Sequence, residues 1–325
     1  MQFAALFGNL FLDAYERPFV VLYLENTMLS PLNTPLVAIS LDGGSPIHAK
    51  LEYLQPSGST KDRLSFFILG KAIRNGTLKR GQSVIEASSG STSISLAMVC
   101  AHLGLKFIAV MPEGVSQERI KSITAYGAQV VLTPASEGIL GSLAMCRKLA
   151  AEHEGFLPRQ FENLDNARAH QTQTAQEIAH ELGTQCIDAF VSGVGTGGTL
   201  VGNYWGLRDF GCPVSAVLAK PVSRQLISDV ECCSFSGKIP GVVDGLSTIY
   251  REARIEHLIE IEVDDALAIE TTKKLIKKGF PVGPSSGLNF AAGEILREKY
   301  PHLKTIVTIF PDRMDRYFST PLFAK

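Results

Sequence analysis

The chain has 325 residues, of which 45% are hydrophobic and 19% are charged, and its formal net charge is -1. This length provides ample core for one large domain or two ordinary ones, and the composition is that of a globular protein. The near balance of acidic and basic residues argues against nucleic acid or an acidic membrane surface as a partner.

The N-terminal segment is rich in Phe and Leu, and aromatic residues recur every four positions from Phe3 to Tyr15. This spacing predicts a short amphipathic helix. The segment has no basic region at its start, and its uninterrupted apolar pieces are too short to span a bilayer. We therefore expect an N-terminal extension over residues 1–30 that packs on the body of the protein or on a second copy.

Six cysteines are scattered along the chain without a Cys-x-x-Cys pair or a histidine at zinc-ligand spacing. Such thiols are typical of small buried apolar residues in a protein from a reducing compartment. We therefore predict no metal site. The six are Cys100, Cys146, Cys186, Cys212, Cys232 and Cys233.

From residue 30 onward the pattern alternates between strands and helices joined by short turns. Strand-like runs cover 36–40, 47–53, 83–87, 107–111, 129–133, 189–193, 214–219, 257–263 and 305–310. Examples of helix-like segments are 62–76, 93–104, 139–153, 167–183 and 264–279. This alternation favours α/β layers built on parallel sheets, in two interlocked lobes with a cleft between them.

Four short segments combine turn-forming residues with side chains or backbone groups that can react with or bind a ligand. In the first, Gln55-Pro56-Ser57-Gly58-Ser59-Thr60-Lys61, a loop delivers Lys61 to the start of a helix. The positive end of the helix dipole disfavours an ammonium there, and a lysine of lowered pKa suits a Schiff base with an aldehyde. Taken alone, this pattern also fits a solvated lysine at a helix start.

The second segment, Ser88-Ser89-Gly90-Ser91-Thr92-Ser93, follows a predicted buried strand and opens a helix. Free backbone N–H groups and hydroxyls at a helix start form a site for an anion such as a carboxylate. A serine-rich helix cap without any ligand explains the same residues.

The third segment, Ser192 to Thr199, contains Gly193, Gly195 and Gly198 and formally satisfies the GxGxxG pattern of dinucleotide-binding proteins. The next predicted strand ends on Lys220 rather than on the acid that would bind a ribose, which argues against a dehydrogenase. A cup for a single phosphate fits better.

The fourth segment is Gly283-Pro284-Ser285-Ser286-Gly287, a tight turn that opens a helix. In their order and spacing, the four segments resemble the fold-type II pyridoxal-phosphate (PLP) enzymes, and specifically the cysteine synthase and cystathionine β-synthase family. The resemblance runs from Asn33-Thr34-Pro35-Leu36-Val37 to Arg316-Tyr317-Phe318-Ser319-Thr320.

The resemblance implies a smaller, mobile α/β lobe over 45–155 and a larger lobe over 31–44 and 156–325, with the active site between them. It implies a role for each matched residue. Lys61 matches the Schiff-base lysine; Gly195, Thr196, Gly197, Gly198 and Thr199 match the phosphate cup; Ser285 matches the serine that faces the pyridine nitrogen; Ser91 matches a cofactor contact; and Ser88, Ser89, Gly90, Thr92, Gln160 and Gly241 match positions that bind substrate.

The neutral serine at the pyridine nitrogen need not keep that nitrogen protonated, so the ring is a weaker electron sink and elimination of a β-substituent is favoured. The resemblance implies a β-replacement synthase that makes cysteine or a cysteine-like amino acid from an activated serine, such as O-acetylserine, through an aminoacrylate intermediate. The implied partners are a small amino-acid substrate and a small nucleophile, with no nucleic acid and no membrane. The family default is a cytoplasmic homodimer, and the resemblance also admits a complex with a serine acyltransferase.

The sequence departs from the family pattern at several positions. Ser91 replaces an asparagine that contacts the phenolic oxygen of the cofactor, and serine is shorter and donates only one hydrogen. Val243 replaces a glycine at the cleft mouth and Asp244 adds a charge there. Further departures are Lys220, Arg313 and Met314. These changes in predicted cleft-lining positions predict an altered donor or nucleophile.

Two alternatives to the synthase therefore stay open. One is a PLP-dependent β-elimination lyase of the cysteine desulfhydrase or serine dehydratase type, which is implied by the resemblance of the 88–93 loop to that of some cysteine-degrading relatives. The other is a non-catalytic partner of a serine acyltransferase, against which the retention of Lys61 and of the phosphate cup argues.

Overall fold

The computed structural model describes residues 30–183, 185–222, 247–320 and 322–323. The strands are β1 (Leu36–Ile39), β2 (Ile47–Lys50), β3 (Ser83–Ala87), β4 (Lys106–Pro112), β5 (Gln129–Thr133), β6 (Ala189–Ser192), β7 (Ser215–Val222), β8 (Ile259–Asp264) and β9 (Ile306–Ile309). The α-helices are α1 (Lys61–Arg74), α2 (Ser91–Leu103), α3 (Gln117–Ala125), α4 (Gly138–His153), α5 (Asp165–Ala169), α6 (Ala175–Leu182), α7 (Gly198–Asp209), α8 (Thr248–Glu252), α9 (Asp265–Lys277) and α10 (Pro284–Lys299). A π-helical turn, His170–Thr174, joins α5 to α6, and short 3-10 helices cover Glu52–Leu54, Ala135–Glu137 and Met314–Tyr317.

The strands form two sheets. The larger sheet has the order β1-β2-β9-β6-β7-β8 and the smaller has the order β3-β4-β5. All neighbouring strands are parallel except β1 and β2. Every residue of β6 and β9 is buried, as expected for parallel strands covered by helices on both faces. The structure thus confirms the predicted mostly parallel α/β architecture.

Separate hydrophobic cores accompany the two sheets. Phe290 and Phe310 belong to a core against the larger sheet, whereas Val84 and Met111 belong to a core between the smaller sheet and its helices. The predicted smaller lobe begins at residue 45, yet β2 pairs with β1 and β9 and belongs to the larger sheet. The first strand of the predicted smaller lobe thus lies in the larger sheet, because β1 and β2 form an antiparallel pair.

Other sequence expectations have mixed outcomes. Cys100 and Cys146 are buried as predicted, but Cys186 is exposed and Cys212 is half-buried because both lie in the turns that precede β6 and β7. Cys232, Cys233 and the N-terminal extension lie outside the described residues.

The described ranges contain no group of three metal-ligating side chains. No helix within them is long and apolar enough to cross a membrane.

A buried network of charges fixes α1, the helix that Lys61 begins. Arg63 Nη2 lies 2.6 Å from Glu52 Oε1, and Arg63 Nη1 lies 2.5 Å from Glu177 Oε1 on α6. Burial alone would raise the pKa of Glu52, but the Arg63 guanidinium lowers it to about 2. Because removal of one partner leaves a buried charge, such a break costs about 3–5 kcal/mol. The network therefore ties the start of α1 to the larger sheet.

Candidate active site

One cavity of about 350 Å³ lies at the carboxyl ends of β3, β4, β6 and β9, where parallel α/β sheets bind their ligands. All four sequence segments contribute to its wall. The predicted site residues that line it are Lys61, Ser88, Ser89, Ser91, Thr92, Gln160, Gly195, Thr196, Gly197, Thr199 and Ser285. The fold thus brings together residues that are more than two hundred positions apart in the chain.

The loop before Lys61 is held on both sides. Arg316 donates to the carbonyl oxygens of Gly58 (2.9 Å) and Ser57 (2.6 Å). Asp62 Oδ2 accepts from the backbone N–H of Ser57 at 2.7 Å. Gly58 has a φ of +83°, and a Cβ at this position would lie 2.9 Å from the Arg316 guanidinium. Only glycine allows this close approach, so the loop aims Lys61 into the cavity.

The surroundings of Lys61 favour its neutral amine. Burial lowers its pKa, and the Arg316 guanidinium acts in the same direction. Asp312 and Glu52 act in the opposite direction but do not prevail. The sequence predicted this direction from the helix dipole, whereas the structure assigns it first to desolvation. A neutral lysine amine is the form that attacks an aldehyde.

The hydroxyl loop, residues 88–92, is organised by its own first residue. Ser88 Oγ accepts from the backbone N–H groups of Gly90 (3.1 Å) and Ser93 (3.2 Å). Gly90 has a φ of +148°, and a Cβ there would lie 2.2 Å from Arg119 Cδ. Ser88 thus accepts a free backbone N–H from the first turn of α2, as a capping side chain does. Ser89 and Ser91 line the cavity as well.

Gln160 and Thr92 are paired with each other beneath the hydroxyl loop. The Thr92 hydroxyl donates to Gln160 Oε1 at 2.6 Å, and Gln160 Nε2 donates to the carbonyl of Ala87 at 2.6 Å. Both carboxylate oxygens of Glu86 accept from backbone, from Ala87 N at 2.9 Å and from Gln160 N at 3.0 Å. Burial raises the pKa of Glu86 to about 7 although these hydrogen bonds oppose it.

The glycine cup lies between β6 and α7. Gly197 has a φ of +84°, and a Cβ on Gly198 would lie 2.1 Å from Asn166 Oδ1. No atom of the described residues lies within 4 Å of a Cβ built on Gly195, so a side chain there would occupy the cavity that Gly195 lines. The backbone N–H groups in the first turn of α7 have no intrahelical acceptor, and such groups bind phosphate.

Side chains that sequence reasoning missed hold the cup from behind. Asn166 Nδ2 donates to Thr196 Oγ1 at 2.9 Å, and Ser247 Oγ donates to the carbonyl of Thr196 at 2.6 Å. His170 Nε2 lies 3.3 Å from the hydroxyl of Thr199. Burial lowers the pKa of His170 to about 3, so the ring is neutral. His170 lies in a π-helical turn, a feature often found at functional sites. No pattern in the sequence predicts this turn.

Ser285 lies in the first turn of α10 and faces the cavity, whereas the hydroxyl of Ser286 is buried outside it. Gly283 donates its backbone N–H to the carbonyl of Asp312 at 2.9 Å. The turn thus joins α10 to the segment after β9 and directs Ser285, rather than Ser286, into the site.

Several predicted positions do not contribute to the described cavity wall. Lys220 lies at the surface, 3.3 Å from Glu260, which corrects the expectation that it lines the cleft. Arg313 is also largely exposed and pairs with Asp315 at 3.2 Å. The Lys220 side chain on β7 and the Arg313 side chain after β9 both point toward solvent. Gly241, Val243 and Asp244 lie outside the described residues.

The cavity wall fits PLP chemically. A lysine amine of lowered pKa suits an aldehyde, and a glycine cup at a helix start suits a phosphate monoester. Ser285 offers a neutral hydroxyl in the same cavity. A dinucleotide would need an acid at the end of β7, and Lys220 occupies that region instead.

Comparison with known proteins gives the same answer. Residues 28–312 match the family model described as pyridoxal-phosphate dependent enzyme. The chain is 40% identical over 294 residues to cysteine synthase B of Campylobacter jejuni, with 90% of this chain and 96% of the relative covered.

Solved structures agree. An O-acetylserine dependent cystathionine β-synthase from Helicobacter pylori superposes with a TM-score of 0.79 at 32% identity, covering 92% of this chain and 99% of that chain. A hydrogen sulfide-producing enzyme from Fusobacterium nucleatum superposes with a TM-score of 0.80 at 32% identity, covering 94% and 92%. The chain belongs to the pyridoxal-phosphate dependent enzyme family and is similar to its cysteine synthases.

Proposed function

We propose that this enzyme catalyses β-replacement on an activated serine, such as O-acetylserine, and forms cysteine or a cysteine-like amino acid. The observation that carries the proposal is the convergence of a lysine of lowered pKa, a glycine cup, a hydroxyl loop and Ser285 on one cavity. The similarity to a cysteine synthase and to an O-acetylserine dependent enzyme supports the same reaction.

Each residue has a proposed task. Lys61 holds the cofactor through its amine, and residues 195–199 receive the phosphate. The hydroxyl loop and Gln160 receive the carboxylate of the substrate, which orients its α-carbon toward Lys61. Ser285 contacts the pyridine nitrogen without supplying a charge.

PLP, when bound, supplies an aldehyde that captures the substrate amine and a ring that withdraws electrons from the α-carbon. Lys61, once released, removes the α-proton as general base, for which its lowered pKa is suited. The acetate or other β-substituent then leaves, and a small nucleophile adds at the β-carbon.

A β-elimination lyase is the second candidate. The similarity to a hydrogen sulfide-producing enzyme favours it, as does the hydroxyl-rich 88–92 loop. Incubation with O-acetylserine, with and without sulfide, separates the two functions. The synthase makes cysteine when sulfide is present; pyruvate as the main product in both incubations would replace it with the lyase.

We further infer that the enzyme is a cytoplasmic homodimer and that a serine acyltransferase is a candidate partner. The family resemblance supports the dimer and the complex, and the absence of a disulfide among the four described cysteines supports a reducing compartment. Light scattering of the protein alone and with the acyltransferase tests both assemblies. A mass of one chain, or no change on mixing, would overturn the respective inference.

A further inference from the structure

Asp312 places a carboxylate oxygen without a partner at the wall of the active-site cavity. The residue is only 6% exposed, and its Oδ2 accepts from the Tyr317 hydroxyl at 2.7 Å. Its Oδ1 is buried and has no hydrogen-bond partner among the described residues. A Cβ on Gly283 would lie 2.3 Å from Oδ1, so glycine keeps this space open. Because buried acceptors are normally satisfied, Oδ1 points to a group that arrives during the reaction.

The backbone holds Asp312 next to the loop that ends in Lys61. Ser59 and Asp312 form an antiparallel bridge. On either side of it, Thr60 N donates to the carbonyl of Pro311 at 2.8 Å and Arg313 N donates to that of Gly58 at 3.2 Å. Asp312 and Lys61 both line the cavity, and the negative charge of Asp312 acts on Lys61.

The other charged or titratable groups that act on Lys61 are Glu52, Arg316 and His170. Glu52 already accepts from Arg63 at 2.6 Å and 2.8 Å and from a threonine hydroxyl. Arg316 is a cation that donates to the loop carbonyls, and His170 is neutral. Among the described anions that act on Lys61, Asp312 is therefore the one that retains an unused oxygen.

Neighbouring side chains keep the Asp312 carboxylate from turning away. Tyr317 anchors one oxygen, and the Arg119 guanidinium lies over the Tyr317 ring at 5.1 Å from its centroid. Arg119 Nη1 in turn donates to the carbonyl of Ser89 at 3.2 Å. The position of Oδ1 is thus fixed by a chain of contacts that ends in the hydroxyl loop.

We propose that Asp312 is a positioning residue that receives the Lys61 side chain after the substrate has displaced it from the cofactor. The inference rests on the proposed role of Lys61. In the displacement, the substrate nitrogen would bond to the cofactor carbon and the bond from that carbon to Lys61 Nζ would break. One proton would pass from the substrate nitrogen to Nζ, which already carries one. When Nζ then takes the α-proton it becomes an ammonium, and one of its three N–H groups donates to Asp312 Oδ1.

The test measures the protonation of Lys61 directly in the full chain after PLP has been removed. Trace acetic anhydride labels neutral lysine amines, and mass spectrometry gives the extent of labelling at Lys61 from about pH 6 to about pH 11. Asp312→Asn and Asp312→Ser remove the charge, and Asp312→Glu retains it. Asp315→Asn is the matched control, because Asp315 is a half-exposed acid three residues away that pairs with Arg313.

For both neutral variants we expect the midpoint pH of Lys61 labelling to fall by about one unit, while Asp312→Glu and the control keep the wild-type midpoint. A merely structural role would change thermal stability without moving this midpoint. Wild-type midpoints in both neutral variants would overturn the inference. Asp312→Ser gives the decisive value if Asp312→Asn fails to fold, since its smaller side chain fits the same space.

A second measurement uses the holoenzyme and an amino acid that binds the cofactor but carries no leaving group, such as L-alanine. The shift of the absorbance band near ~410 nm, as the amino acid replaces Lys61 on the cofactor, gives its dissociation constant. We expect the neutral variants to bind about tenfold more weakly near pH 7, with a difference that shrinks above the Lys61 midpoint. An equal loss at every pH would contradict the proposal.

Borohydride reduction of the wild-type holoenzyme separates this inference from the proposed function. A phosphopyridoxyl group on a lysine other than Lys61 would overturn the proposed role of Lys61. The same group on Lys61, together with unchanged Asp312 variants, would overturn only the inference about Asp312.

Discussion

The glycine cup and the hydroxyl loop both bind an anion in our proposal, yet they are held in different ways. The cup is supported from behind by Asn166, Ser247 and His170, which leave its cavity face open. In the hydroxyl loop, by contrast, the hydroxyl of Thr92 is already hydrogen-bonded to Gln160, the other residue that we propose binds the carboxylate. A preformed cup suits a cofactor that stays bound, whereas a loop that must exchange hydrogen bonds suits a substrate that comes and goes.

The supports of the two regions also differ in their response to pH. His170 behind the cup is neutral because burial lowers its pKa to about 3. Glu86 beneath the loop has a pKa of about 7, again because of burial. Between pH 5 and 8, protonation therefore changes the support of the loop and leaves that of the cup unchanged.

The largest expected effect comes from breaking the preformed cup with Gly198→Ala. The new Cβ would lie 2.1 Å from Asn166 Oδ1, and Asn166 is tied through its Nδ2 to Thr196 and to the carbonyl of Gln160. Overpacking of this kind costs about 1–3 kcal/mol, so we expect PLP to bind about 100-fold more weakly in an absorbance titration.

The control for this variant is Gly44→Ala, because a Cβ on Gly44 meets its nearest atom at an ordinary 3.6 Å. It should bind PLP like the wild type. If Gly198→Ala bound PLP as tightly as the wild type, the cup would be able to rearrange, as we propose for the hydroxyl loop. The two regions would then not differ in rigidity.

The next largest effect concerns the pH dependence of folding. The pKa of Glu86 is raised from 4.5 to about 7, so its contribution to stability is fully present below pH 4.5 and is lost as the pH rises through 7. Linkage predicts that the free energy of unfolding falls by about 2 kcal/mol between about pH 5 and about pH 7 through this group alone.

Glu86→Gln should remove that decline, as measured by denaturant unfolding across the same pH range. Glu113→Gln, an exposed acid just after β4, should retain it. A wild-type slope in Glu86→Gln would show that the carboxyl stays ionised beneath the loop and that its hydrogen bonds to backbone outweigh burial.

The fold class and most of the residues that line the cavity could be predicted from the sequence, because they depend on short segments of neighbouring residues. Strands β3 and β5 have the predicted ends, since apolar runs bounded by turn residues mark them. Lys61, Thr196 and Ser285 follow turns whose residues announce a helix start. The supports of the site could not be predicted, because His170 and Asn166 act across 29 and 30 positions through contacts that only the tertiary structure creates.

The same limit explains the corrections at Lys220 and Lys61. The sequence around Lys220 does not indicate which face of β7 the side chain occupies. In the structure it points away from the cavity, toward Glu260. The helix dipole was expected to lower the pKa of Lys61, but the extent of burial is a property of the whole fold and dominates.

The smallest expected effect tests the hydroxyl loop. Thr92→Val keeps the shape of the side chain but removes the hydroxyl that donates to Gln160 at 2.6 Å. Because Gln160 then loses the group that orients it, we expect the KM for O-acetylserine to rise about tenfold, the equivalent of about 1.4 kcal/mol. PLP affinity should stay within about twofold, since the cup has its own supports.

Thr92→Ser, which keeps the hydroxyl, should restore most of the KM and so show that the hydrogen bond rather than packing is responsible. If Thr92→Val weakened PLP binding as much as substrate binding, the loop and the cup would form one coupled unit. A rise in KM alone would instead confirm that the enzyme separates a fixed cofactor site from a substrate site that rearranges in every cycle.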